Sequence, residues 1–139
     1  MIVRQPWNPR TVLAPSYRVD LATNRLTIDV RNGALLEHVP ATIRRATVAG
    51  AYAPTMPIVV ECRQSPSPPA LPAICGLAEA LADSWDVNGP IALVANGIDV
   101  RVVTFALGMV VSARAEHVLH VFADSAHMES FLQRFPISA

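Results

Sequence analysis

Apolar and charged residues alternate in two stretches near the start of the chain, residues 17–21 and 25–31. Such alternation is typical of β-strands with one buried face, and two of these stretches joined by a short polar connection predict a hairpin. A turn at Thr23 and Asn24 gives a register in which apolar residues face each other and Arg18 faces Asp29. The apolar pairs in this register are Leu21 with Leu26, Val19 with Ile28, and Tyr17 with Val30.

Further along, short apolar runs alternate with segments in which apolar residues recur every three or four positions. The runs have the composition of buried parallel strands, and the recurring patterns predict helices. The third helix, which Asp99 can cap, is apolar around most of its circumference, so we expect it to be well covered. The predicted strands are residues 58–62, 91–95 and 118–122. The predicted helices are residues 39–50, about 71–85, 100 to about 114, and about 125–135.

This element order, ββαβαβαβα, predicts one α/β domain over residues 17–139, a size that is ordinary for a single domain. Strands that alternate with helices favour parallel pairing and right-handed crossovers. We therefore expect a mixed sheet of four to five strands with an antiparallel hairpin at its N-terminal end. Residues 1–16 carry three prolines and no apolar period, which indicates an irregular arm with Trp7 as its candidate anchor.

The chain is unusually apolar, with 52% hydrophobic and 16% charged residues, against an average of about 25% charged. Either the core is large, or apolar surface is covered by a partner, a second subunit or a ligand, and we expect a homodimer. The longest apolar stretch, residues 100–113, falls short of the roughly 20 residues that a membrane span requires. Residues 1–10 lack the apolar region of a secretory signal, so a cytoplasmic location is expected.

Charge and cysteine content exclude several classes of function. Eleven basic residues balance eleven acidic ones, which removes the basic footprint of a nucleic-acid-binding protein. All the basic residues are arginine, typical of a GC-rich bacterial genome, so no lysine is present to form a Schiff base. The spacing of Cys62 and Cys75 matches neither a redox pair nor a zinc site, and the four histidines show no metal-ligand spacing. We expect two buried thiols, no metal and no cofactor.

The element order, together with the stretch V-F-A-D-S-A-H-M-E-S-F-L at residues 121–132, resembles the STAS or SpoIIAA-like family. The resemblance covers about residues 17–135. It implies a SpoIIAA-like fold and a domain that binds without catalysing. The family contains anti-sigma-factor antagonists, cytoplasmic regions of anion transporters, and SpoIIAA-like proteins that are related in shape to the lipid-binding Sec14 domains.

The antagonists of this family carry the motif Asp-Ser-Ser-Gly-Leu, with its phosphorylated serine, at the start of the second helix. The similar stretch here is A-I-C-G-L, residues 73–77. Gly76 and Leu77 match the motif, whereas Ala73 replaces the aspartate and Cys75 stands at the serine position. The resemblance is therefore to the divergent SpoIIAA-like branch and not to the phosphorylated antagonists.

Polar residues follow the predicted parallel strands, whose carboxyl ends form the edge where open α/β sheets bind ligands. They suggest a crevice that recognises a protein partner or a small apolar or anionic ligand, although helix capping explains Asp99, Asp124 and Ser125 better. Arg63 and the proline-rich loop at residues 64–72 are stronger candidates, because a connection does not require so long a loop. The complete candidate set is Glu61, Arg63, Ser65, Ser67, Cys75, Asn96, Asp99, Asp124 and Ser125.

Three functions remain open at this point. The favoured one is a regulatory or ligand-binding module without catalysis. A carrier of a small apolar or lipid-like molecule is the second, and an internal apolar cavity would favour it. The third is a small hydrolase or transferase with Cys62 as nucleophile, although the chain has no nucleophile elbow and Cys62 lies in an apolar run.

Overall fold

The computed structural model of the chain describes residues 15–31, 33–62, 69–83, 89–110 and 118–134. Within these ranges it has five strands, four α-helices and one 3₁₀ helix. The strands are β1 (Ser16–Asp20), β2 (Arg25–Asp29), β3 (Ile58–Glu61), β4 (Ile91–Val94) and β5 (Leu119–Phe122). The α-helices are α1 (Val39–Val48), α2 (Leu71–Ala82), α3 (Val100–Val110) and α4 (Ser125–Leu132). The 3₁₀ helix, Gly33–His38, leads directly into α1 and was not predicted from the sequence.

The five strands form one sheet in the order β1-β2-β3-β4-β5, which is also their order along the chain. β1 pairs antiparallel with β2, and every other neighbouring pair is parallel. The predicted α/β class and the mixed sheet with an N-terminal hairpin are confirmed. None of the helices in the described part of the chain is long and apolar enough to cross a membrane.

The predicted hairpin register is wrong by two residues. Val19 lies opposite Leu26, and Leu21 is 87% exposed in a four-residue turn. Asp20 causes the longer turn, because its Oδ1 atom accepts hydrogen bonds from the backbone N–H groups of residues 22 and 23. The turn closes at Asn24, whose φ of 51° suits asparagine better than most residues. A shift of two residues leaves each side chain on its predicted face of the sheet.

Each face of the sheet packs against a different set of helices. Alternate side chains of the central strands, among them Ile58, Ile91 and Leu93, belong to a core shared with α1, α2 and α3. The remaining side chains of β3 and β4 pack against α4 on the opposite face; they are Val59, Ala92 and Val94. Burial on both faces explains why these strands are continuous apolar runs and not alternating ones.

The prediction that α3 is well covered is wrong. Its side chains Val103, Ala106 and Leu107 are buried, but Val102, Phe105 and Met109 are 55, 70 and 71% exposed. At about 100° per residue, positions 102, 105 and 109 share one side of the helix, turned away from the sheet. An apolar circumference does not by itself produce burial, because the sheet covers only one side of a helix that lies on it.

Candidate functional site

The carboxyl ends of β3, β4 and β5 lie side by side, as the sequence predicted for this edge. The backbone N–H of Cys62 donates to the carbonyl oxygen of Val94 at 2.8 Å. The N–H of Ala95 donates in the same way to Phe122 at 3.0 Å. The connections that leave the three strands therefore start next to one another. The candidate residues at these strand ends and in the turns that follow are Glu61, Asn96, Asp99, Asp124 and Ser125, whereas Arg63, Ser65 and Ser67 lie outside the described residues.

Asp124 caps α4, and Ser125 is the first residue of that helix. The Oδ1 atom of Asp124 accepts a hydrogen bond from the backbone N–H of His127 at 2.8 Å. The imidazole Nδ1 of His127 lies 2.7 Å from the second carboxylate oxygen. The backbone hydrogen bond from His127 and the contact with its side chain hold the pKa of Asp124 below its ordinary value. Capping thus explains this carboxylate without a ligand.

Asp99 has the same role at the start of α3. Its Oδ1 atom accepts hydrogen bonds from the backbone N–H groups of Arg101 at 3.1 Å and Val102 at 3.2 Å. Asn96 precedes it in an exposed turn with Gly97, whose φ is 78°. The sequence favoured capping for Asp99, Asp124 and Ser125. The hydrogen bonds of the two aspartates are those of a cap, whereas Ser125 is the first residue of the helix that Asp124 caps.

Glu61, the last residue of β3, is partly buried and contacts β1 across the sheet. Its Oε2 atom lies 3.7 Å from Nη2 of Arg18, a residue of β1. The Nη1 atom of the same guanidinium donates to Asp29 at 2.7 Å. Arg18 therefore links the carboxylates of two other strands, and Glu61 belongs to this ion-pair cluster on the sheet surface.

Both cysteines are buried, as expected, and their surroundings disfavour the thiolate form. Cys62 is 2% exposed, and burial raises the pKa of its thiol to about 12. Cys75 lies on the core side of α2, where burial and the nearby Glu79 carboxylate also raise its pKa. Since the thiolate is the reactive species, neither side chain has the environment of a catalytic cysteine.

We expect Cys62 to resist alkylation by iodoacetamide in the native protein near neutral pH, because its thiol is both protonated and shielded from the reagent. Mass spectrometry of peptides after a brief exposure measures the labelled fraction. The same treatment in urea is the control, and there both cysteines should be labelled completely. Rapid native labelling of Cys62 would restore the thiol enzyme as a candidate function.

Within the described ranges, no group of three or more His, Cys, Asp or Glu side chains is placed to hold a metal ion. Two of the histidines have other neighbours. The His120 ring packs against the Phe131 ring at a tilt of 38°, with centroids 4.4 Å apart, and His127 contacts the capping carboxylate of Asp124.

A groove of about 320 Å³ lies between the 3₁₀ helix and α2, and we call it the α2 groove. A side-chain carbon added at Gly76 would meet nothing within 4 Å, so this glycine leaves the groove open to solvent. The sequence singled out Cys75 and the residues around it through the resemblance, but it missed the opposite wall because the 3₁₀ helix was not predicted. The lining residues are Leu36, Glu37, Pro40, Pro72, Ala73, Gly76, Leu77 and Ala80.

A second cavity, of about 370 Å³, lies beside β5, and no sequence pattern indicated it. Thr104 and Leu107 of α3 line one part of it, and Phe131 of α4 lines another. These helices pack on opposite faces of the sheet, so the cavity spans the outer side of β5, the last strand in the sheet order. Only the assembled sheet could bring these residues together.

The chain was compared with models of known protein families, with curated proteins and with solved structures, and none of these comparisons found a match. The function is therefore inferred from the residues and the geometry described above.

Proposed function

We propose that this protein is a non-catalytic binding module of the SpoIIAA-like type, which binds a protein partner in the α2 groove. One observation carries the proposal: the groove is lined by Ala73, Gly76 and Leu77, which belong to the stretch that resembles the switch motif of the anti-sigma-factor antagonists. In that family the matching stretch carries the regulatory serine. A binding surface at the same place on α2 fits a domain that acts by recognising another protein.

The chemistry of the groove favours a peptide segment as the ligand. Its walls are apolar, formed by side chains such as Leu36 and Pro72, and a single acidic residue, Glu37, stands exposed at the rim. An apolar segment with a neighbouring basic residue would bury its apolar side chains in the groove and place its charge beside Glu37. Cys75 at the serine position makes this binding independent of phosphorylation.

The strand-end residues support binding over catalysis. Asp99 and Asp124 are used as helix caps, Glu61 is engaged by Arg18, and the Cys62 thiol is buried and protonated. For the carrier function, neither of the two cavities described above is fully enclosed, whereas a carrier encloses its apolar cargo. Native mass spectrometry should accordingly show the protein without a retained apolar molecule.

Filling the groove tests the proposal. Peptides selected on the native protein by phage display serve as the probe, and isothermal titration calorimetry measures their affinity for each variant. Gly76→Trp should weaken binding at least about tenfold, which is about 1.4 kcal/mol. Ala126→Trp places the same side chain at an exposed position on α4 and should bind like the native protein. Peptides that bind Gly76→Trp with unchanged affinity would contradict the proposal, as would a failure to select any peptide.

A further inference from the structure

The exposed apolar side chains of α3 form a continuous row, which we call the α3 stripe: Val102, Phe105 and Met109. Their spacing of three and four residues is that of a helix–helix seam. The stripe is separate from the α2 groove, and the cavity beside β5 is lined instead by Thr104 and Leu107 of the same helix. It therefore adds a second surface to the molecule.

The size of the stripe indicates a modest interface. The exposed parts of its three side chains amount to roughly 300–400 Å², given that a large aromatic side chain alone presents about 150–250 Å². This matches the largest apolar patch of a typical monomer, about 300–600 Å², which is often functional. Stable complexes bury about 800 Å² per partner, so a contact centred on the stripe fits a weak, concentration-dependent association.

We infer that a second copy of this chain covers the stripe, in an antiparallel pairing of the two α3 helices centred on Phe105. The stripe is self-complementary in this arrangement, as a two-fold interface requires. Phe105 packs against the partner's Phe105, and Val102 packs against the partner's Met109. The same contact then occurs twice, because Met109 meets the partner's Val102.

Charge supports both the second copy and the antiparallel orientation. Arg101 is the single charged residue between Val100 and Val110, and the whole chain has no formal net charge, so little repulsion opposes association. In the antiparallel pair the two Arg101 residues lie on opposite sides of the centre, about 12 Å apart along the helix axis. This exceeds the Debye length of about 8 Å at physiological salt, whereas a parallel pair would place them side by side. A helix that lies on a membrane surface carries several basic residues on its polar face, which α3 lacks.

Sedimentation velocity tests the association. From about 1 μM to about 1 mM, a range that covers weak dimers, the apparent mass should rise from 14.9 kDa towards twice that value. Phe105→Asp should keep the protein monomeric throughout. Val48→Asp introduces the same charge at an apolar position of α1 that is 84% exposed, and this variant should dimerise like the native protein. Circular dichroism should show unchanged secondary structure in both variants, because both positions are exposed.

Cysteine cross-linking tests the orientation. An oxidised mixture of Val102→Cys and Met109→Cys should form the mixed disulfide in preference to either homodisulfide, and Phe105→Cys should cross-link to itself. Cys62 and Cys75 are buried and should not interfere. If the native protein is monomeric at every concentration, the proposal is overturned. The stripe would then be a binding surface for a different protein. Dimers that survive Phe105→Asp, or homodisulfides that dominate the mixture, would also overturn the proposal.

The two proposals use different surfaces, so their outcomes are separable. Phe105→Asp should leave peptide binding in the α2 groove unchanged, and Gly76→Trp should leave dimerisation unchanged. Either proposal can fail while the other stands.

Discussion

Replacing Leu93 with alanine is expected to lower the free energy of unfolding by about 3–5 kcal/mol, near the top of the range for buried leucines. Leu93 has no exposed surface and lies in β4, opposite Val60 of β3 and Val121 of β5. Hydrogen-bonded strands on both sides hold β4 in place, so the surrounding residues cannot move in to fill the space. The variant therefore loses the burial of the side chain and also keeps most of the cavity.

Urea denaturation followed by circular dichroism measures this difference. Leu21→Ala is the matched control, because the same chemical change at an 87% exposed position of the hairpin turn should alter stability by less than about 0.5 kcal/mol. Should the two leucine variants prove equally stable, the assignment of Leu93 to the core would be wrong.

The second largest effect is expected from Gly89→Ala, which should destabilise the protein by about 1–3 kcal/mol. A side-chain carbon at Gly89 would lie 2.5 Å from the carbonyl oxygen of Met56 and 2.8 Å from that of Thr55. The backbone N–H of Gly89 also donates to Pro54 at 3.0 Å. The methyl group can be accommodated only if the segment before β4 moves away from the segment before β3, and this movement strains the start of both strands.

Gly76→Ala provides a control of opposite sign. Gly76 lies within α2, and an added methyl group meets nothing within 4 Å. Alanine is a better helix former than glycine, so this variant should be more stable by about 0.5–1 kcal/mol. Thermal and urea unfolding of both variants measure the contrast, and a neutral Gly89→Ala would show that the two segments are less tightly apposed than described.

The α/β class follows from short-range patterns that survive folding unchanged. Apolar runs such as residues 91–95 become buried strands because helices cover both faces of the sheet there. Helix caps are equally local: Asp124 bonds to an N–H group three residues away, so its role is visible in the sequence. The same applies to the hairpin, whose two strands the alternation of residues identifies correctly.

Features that depend on a competition between local and distant contacts were predicted less well. Asp20 bonds to the backbone within the turn and shifts the hairpin register by two residues. The alternation of apolar and charged residues cannot distinguish the two registers, because each side chain lies on the same face of the sheet in both. The 3₁₀ helix at Gly33–His38 lacks a clear periodic signal in the sequence, although its Leu36 side chain is buried in the core. Without that helix, one wall of the α2 groove could not be foreseen.

For the candidate site, the sequence identified which strand ends meet but not which side chains remain available there. Capping, ion pairing and burial decide that, and each depends on neighbours brought in from other parts of the chain. Glu61 illustrates the point, because its partner Arg18 is 43 positions earlier in the sequence and two strands away in the sheet.

By itself, then, the sequence determined the class of fold, the order of its elements, the helix caps and the burial of both thiols, because these depend on contacts within a few residues or on the avoidance of water. Only the tertiary structure decided the hairpin register, the α2 groove and the exposure of the α3 stripe. The physical reason is that burial is a property of surroundings: Val102 and Val103 are identical side chains one position apart, and the sheet lies beneath only one of them.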